Sequence, residues 1–190
     1  MVFENLTFYY ICQYSFYMKT IECIYGRRSV RKYKNDSISK SDITEVLNAA
    51  IQAPSAGNVQ DWEFLIIQKT EVKKQLQGAA LGQEFVSEAP IIIVVCSDLD
   101  RIKNAYGERG KNLYSIQDTA AAIQNLMLAA CDKGIGTCWV GAFSEKNVKK
   151  ILDLPANIRP VAMITMGYPN DISNKSKRKN LDSVMHWDKW

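Results

Sequence analysis

The sequence predicts a single α+β or α/β sandwich in which strands and helices interleave along the chain. Two observations carry that expectation. Four short apolar stretches of strand character alternate with five stretches of helical period. No GxGxxG follows a strand at the start of a helix, and no GxxxxGK followed by Ser or Thr occurs. An ordinary dinucleotide-binding Rossmann domain and a P-loop protein are therefore not expected.

In chain order, a short helix is expected around Thr20 to Tyr25, stopping near Gly26. Ser39 or Ser41 can cap a helix to about Ala53. There Ile43, Val46, Leu47, Ala50 and Ile51 recur on one face, and Asp42 and Glu45 lie near the positive end of the dipole. Pro54 ends it. Trp62 to Gln68 reads as a strand and Thr70 to about Leu81 as a helix. The continuous run from Pro90 to Cys96 suits a strand buried on both faces. Ser97 to Asn112 is polar without a clear period, so a surface excursion is expected. The longest helix should run from Ser115 to Lys133 on a stripe of Ile116, Ala120, Ile123, Met127 and Ala130, with Gly134 as C-terminal cap. Thr137 to Ala142 and Val161 to Met166 read as strands, separated by a helix that Ser144 caps and that ends near Leu152.

At 190 residues and 47% hydrophobic content the chain suits one domain with a real core. The net charge of +4 is spread through mixed acids and bases, whereas a nucleic-acid binder concentrates its basic residues, so no nucleic-acid partner is expected. Five cysteines form no CxxC pair and their number is odd. They read as reduced thiols of a cytoplasmic protein. The lone His186 has no ligand cluster, and no metal is expected. The segment from Val2 to Tyr17 is rich in Phe and Tyr, carries only Glu4 as a charge, and lacks a basic leader. It is too short and polar to span a bilayer, which needs about 20 apolar residues, and no membrane partner is expected. Met18-Lys19-Thr20 reads like a natural start. Residues 1–17 are thus expected to be an extension ahead of a single domain of residues 18–190. The alternative is an aromatic arm that packs on a partner subunit.

Four segments can carry chemistry. Arg27, Ser29 and Arg31 alternate, so in extended backbone they share a face. Two guanidinium groups and a hydroxyl there can hold a phosphate. Taken alone, such a run is more often a solvated basic face. The stretch from Pro54 to Trp62 joins a helix end to a strand start, and the amides of Asn58 and Gln60 match the alternating acceptors and donor of a flavin edge. The same residues are common turn formers. At Val140-Gly141, the absence of a side chain on Gly141 lets a planar ring approach the backbone, although a glycine bordering a strand is ordinary. The basic tail segment from Lys175 to Lys179 is the fourth.

Their order and spacing are more specific than any one of them. Arg-Arg-Ser-Val-Arg-Lys-Tyr comes near the start, and Ala-Pro-Ser-Ala-Gly-Asn-Val-Gln-Asp-Trp about twenty-five residues later. Gln117-Asp118, Trp139-Val140-Gly141, Gly167-Tyr168-Pro169 and a basic tail follow. From Met18 to about Leu181 this series resembles the nitroreductase family of FMN-dependent NAD(P)H oxidoreductases. The resemblance implies an α+β fold with a central, mostly antiparallel sheet flanked by helices. It also implies a homodimer with FMN at the interface. By the same resemblance Arg27, Arg28, Ser29 and Arg31 match the first FMN segment, which binds phosphate, ribityl and the pyrimidine edge. Pro54, Ser55 and Asn58 match the second, which serves the partner subunit's FMN. Gln60 belongs to that motif or to the loop's own structure. Val140 and Gly141 match the backbone near flavin N5, and Arg178, with Lys177 or Lys179, the late basic residue on the phosphate. Asp61 departs from the pattern, since many members have proline there.

The implied activity is transfer of hydride from NADH or NADPH through FMN N5 to a nitroaromatic, a quinone or another conjugated acceptor in ping-pong order. The flavin carries the chemistry and no side chain acts as catalyst. No Ser/His/Asp set and no paired carboxylates suggest otherwise. The alternatives are a non-catalytic flavin-binding or regulatory protein on the same fold, or a specialised flavin reductase or dehalogenase.

Overall fold

The computed structural model describes residues 20–171 and 176–190. The expected extension at residues 1–17 and the Lys175 end of the basic tail lie outside the described residues. Among the described residues, four strands form one sheet: β1 (Trp62–Ile67), β2 (Ile91–Asp98), β3 (Gly136–Val140) and β4 (Ile158–Gly167). Their order is β1-β2-β4-β3, and every neighbouring pair is antiparallel.

The run Ile91-Ile92-Ile93-Val94-Val95-Cys96 is fully buried because β2 is central and covered on both sides. Its side chains alternate between two cores. Ile91, Ile93 and Val95 pack with the helices α2 (Lys40–Ala50) and α6 (Ser115–Asp132). Ile92, Val94 and Cys96 pack on the other face, against α3 (Thr70–Ala79), α4 (Glu84–Glu88) and α7 (Glu145–Ile151). The first described helix, α1 (Thr20–Gly26), lies against α6 with Cys23 buried. The result is an α+β sandwich with helices on both sheet faces.

Local chemistry sets the helix ends. Ser39 caps α2 by accepting from the Asp42 N–H, and Ser144 caps α7 by accepting from the Asn147 N–H. Lys73 in α3 is buried, yet its ammonium donates to the Ala89 carbonyl at 2.7 Å. Lys133, just past α6, makes ion pairs with Asp42 at 3.0 Å and Glu45 at 2.6 Å, which ties α6 to α2.

Three expectations need correction. The polar stretch after Ser97 is not a surface excursion but helix α5 (Leu99–Arg109), followed by a π turn at Gly110–Tyr114. It forms because the Asp98 carboxylate caps it, accepting from the N–H groups of Asp100 and Arg101. It buries only Ile102, so it shows no apolar stripe. In α6, Ile116 is 41% exposed, and the buried stripe is instead Thr119, Ala122, Ile123, Leu126, Met127 and Ala130. The helix before Pro54 stops at Ala50, and three turn residues lead to the proline. Among the described residues, no helix is long and apolar enough to cross a membrane.

Candidate functional site

The stretch after α1 meets the outer edge of β3 at Thr137 and then crosses to the segment after β4, where the Lys34 N–H donates to the Tyr168 carbonyl and the Lys32 carbonyl accepts from the Asn170 N–H. Ser29 pairs with Thr137 in a parallel bridge, and the Val30 N–H donates to the Thr137 carbonyl at 2.9 Å. This extended backbone produces the alternation read from the sequence. Val30 turns inward and is buried, while Arg27, Ser29 and Arg31 converge on Cys138 of β3. Burial pushes the Cys138 thiol up. The Arg31 charge, the Ser29 hydrogen bond and the Arg27 charge oppose that rise. Tyr33 locks the end of the stretch: its hydroxyl donates to the Val30 carbonyl at 2.5 Å and lies 2.6 Å from Thr165 Oγ1. The Arg31 guanidinium also sits over the Phe85 ring of α4 at 5.6 Å.

Val140 ends β3, three residues beyond the Thr137 contact, and Gly141 follows it. Gly141 is exposed, and a Cβ there would meet nothing nearer than the Trp139 indole nitrogen at 3.5 Å, which leaves its backbone open to a flat ligand. A pocket of about 230 Å³ lies on the other flank of the arginine stretch, lined by Gly26, Arg27, Arg28, Cys131 and Thr137 among others. Arg28 donates to the Gly26 carbonyl at 3.3 Å.

The second candidate segment is a loop built around a 3-10 turn at Ala56–Asn58. Gly57, Asn58 and Gln60 all have positive φ, near 50–60°. Glycine suits the positive φ at Gly57, and a Cβ there would press on the Tyr106 hydroxyl, the end of a partly exposed side chain. Ser55 Oγ accepts from the Gln60 N–H at 3.0 Å, and Arg101 donates to the Gln60 carbonyl at 2.8 Å. The Gln60 backbone thus helps to hold the loop, and its side-chain amide donates to the Asn58 carbonyl at 3.4 Å. Pro54 and Asn58 are exposed. Asp118, at the start of α6, accepts the Ala56 N–H on both carboxylate oxygens, at 3.0 and 3.1 Å.

The fold does not bring the two segments together. Trp62, which follows the loop, pairs through Ser97 to Arg159, whereas Thr137 beside Ser29 pairs with Met166. Seven residues along β4 span about 23 Å, and the three strand spacings from β1 to β3 add about 14 Å sideways. The segments occupy diagonally opposite corners of the sheet. Arg178 and Lys179 are exposed on the tail, where Arg178 donates to the Ser176 carbonyl. Sequence reasoning missed Arg101, Tyr106 and the pairing of Asp61 with Asp118, in which later helices shape the loop. The sequence marks Asp118 only as part of a motif.

Comparison with known proteins agrees with this architecture. The model of the nitroreductase family matches residues 24–84 and 78–168. A protein of Archaeoglobus fulgidus, provisionally named NADH dehydrogenase/NAD(P)H nitroreductase, is 35% identical over 177 residues, spanning 90% of this chain and 98% of that protein. An FMN reductase (NADPH) of Bacillus subtilis is 27% identical over 180 residues, 88% of this chain and 72% of that one. The solved structure of B. megaterium NfrA2 superposes with a TM-score of 0.84 at 27% identity, covering 91% of this chain and 76% of its own. With the family matched over most of its length, and with a relative that aligns almost end to end, the chain belongs to the nitroreductase family.

Proposed function

We propose that this protein is an FMN-dependent oxidoreductase that takes electrons from NADH or NADPH and delivers them to a nitroaromatic, a quinone or another conjugated acceptor. The observation that carries the reading is the gathering of Arg27, Ser29 and Arg31 about Cys138 of β3, the strand that Gly141 follows. That donor set fits FMN. Two guanidinium groups and a hydroxyl suit a phosphate and a polyol, and an uncovered glycine suits a flat ring. The names of relatives, FMN reductase among them, support the same cofactor.

FMN, when bound, supplies the hydride chemistry. The chain's own part is to bind, orient and cover. Arg27 and Arg31 neutralise phosphate charge, and Arg28, Arg178 and Lys179 add to the positive field. Ser29 donates or accepts at the polyol. Val140 and Gly141 set how closely a ring can lie against the strand.

The loop from Pro54 to Asn58 lies at the opposite corner of the sheet, so it cannot cover the same cofactor from the same chain. In a homodimer it would cover the partner's. The apolar groups exposed on α1 and the tail support such an assembly: Ile21, Ile24, Tyr25, Leu181 and Trp187 are each at least 45% exposed. The deciding experiment releases the cofactor of the purified protein and compares it with FMN and FAD standards by chromatography. FMN is expected. FAD, or no flavin after reconstitution, would overturn the reading.

A further inference from the structure

Asp61, the departure noted in the sequence, is fully buried. Its Oδ2 accepts from Ser97 Oγ of β2 at 2.5 Å. Its Oδ1 is also buried and has no hydrogen-bond partner. The Asp118 carboxyl of α6 faces it within hydrogen-bonding reach. Asp118 is itself only 5% exposed and is committed to the Ala56 N–H. Two ionised carboxylates are both acceptors and cannot satisfy each other, so the orphaned oxygen acquires a partner only if a proton lies between them.

The other charged groups around the loop are engaged with one another. Arg101 of α5 pairs with Glu63 at 2.7 Å and Asp98 at 3.5 Å, and Asp98 also accepts from Asn157. Burial first, and then the Asp118 carboxyl, push Asp61 up to about 6, against the Ser97 hydrogen bond.

We propose that Asp61 is a positioning residue that, when protonated, donates from Oδ1 to Asp118, and thereby holds Asp118 on the Ala56 amide and the Ser55–Gln60 loop in its closed form. Loss of that proton leaves two neighbouring carboxylates that repel, and the loop loosens from α6. What the loop carries, a cover for the partner's FMN, rests on the function proposed above. The proton-sharing device does not.

The test is carbonyl-carbon NMR of aspartate-labelled full-length protein, together with amide-exchange protection of Ala56, both followed from pH 5 to pH 8. Wild type, Asp61→Asn and Asp118→Asn are compared, and FMN affinity is measured in parallel. In wild type the Asp61 carboxyl should titrate near 6, and Ala56 protection should fall about tenfold across the range, the equivalent of one pKa unit. Asp61→Asn, whose amide donates at every pH, should hold Ala56 protection level. Asp118→Asn should return Asp61 toward the ordinary aspartate value. An Asp61 carboxyl titrating near that ordinary value in wild type would overturn the proposal without any variant. So would equal pH dependence of Ala56 protection in wild type and Asp61→Asn. If the carboxyl and Ala56 behave as expected but no FMN binds at any pH, the device stands and the proposed function fails.

Discussion

Gly136→Ala probes the join between the arginine stretch and β3. A Cβ at Gly136 would lie 2.7, 2.8 and 2.9 Å from Cγ2, Cβ and Cγ1 of Val30. Carbon atoms in ordinary contact are about 3.5–4.0 Å apart, so roughly 1 Å of displacement is needed. Val30 has little freedom to give it. It is 5% exposed, its N–H is bonded to Thr137, and its carbonyl accepts from Tyr33. Overpacking of this kind costs about 1–3 kcal/mol. The displacement also carries Ser29 and Arg31 off the strand edge, so flavin affinity should fall along with stability. Urea denaturation reads the first effect and flavin fluorescence titration the second. Val30→Gly removes all three clashing carbons, so the double variant should be less destabilised than the sum of the single variants. If Gly136→Ala leaves both the urea midpoint and the FMN dissociation constant unchanged, the stretch does not dock as described.

Arg31→Ala should weaken FMN binding by about 1.5–3 kcal/mol, whereas Lys34→Ala, beyond the convergent face, should change it little, and equal dissociation constants would refute the assignment. Lys133→Ala should cost about 0.5–1 kcal/mol, less in high salt, because its partners Asp42 and Glu45 are partly solvated. The Ser39 hydrogen bond and then Lys133 hold Asp42 below its ordinary value of 3.8. Its contribution is therefore present above that value and lost as pH falls through the lower folded value, so wild type and Lys133→Ala should converge in stability in acid. Sedimentation velocity with FMN should show a species of twice 21.5 kDa that dilutes to monomer less readily than without it, and an active, flavin-loaded monomer would refute the dimer.

Much of this molecule is legible in its sequence because local physics dictates it. The unbroken apolar run at β2 requires cover on both faces. Ser39 and Ser144 announce their helices by capping. The alternation of Arg27, Ser29 and Arg31 about an inward Val30 follows from extended backbone alone. Helix α5 is not legible, since it buries a single isoleucine and rests on the Asp98 cap. Nor is the exposure of Ile116, because helical period gives the spacing of a stripe but not which of two overlapping stripes meets the sheet. The Asp61–Asp118 contact joins residues 57 apart in sequence through tertiary packing. Asp61 could be marked as a departure from a pattern, but not as half of a carboxyl pair. The separation of the two candidate segments depends on strand order, which a linear pattern of strands leaves open.

The most direct test of the central claim is an absorption spectrum of the purified protein taken before and after anaerobic addition of NADH or NADPH. A yellow protein whose flavin band bleaches with either nucleotide and returns when an acceptor is added is the predicted result. A bound flavin that neither nucleotide bleaches, or a protein that takes up no FMN, would contradict it.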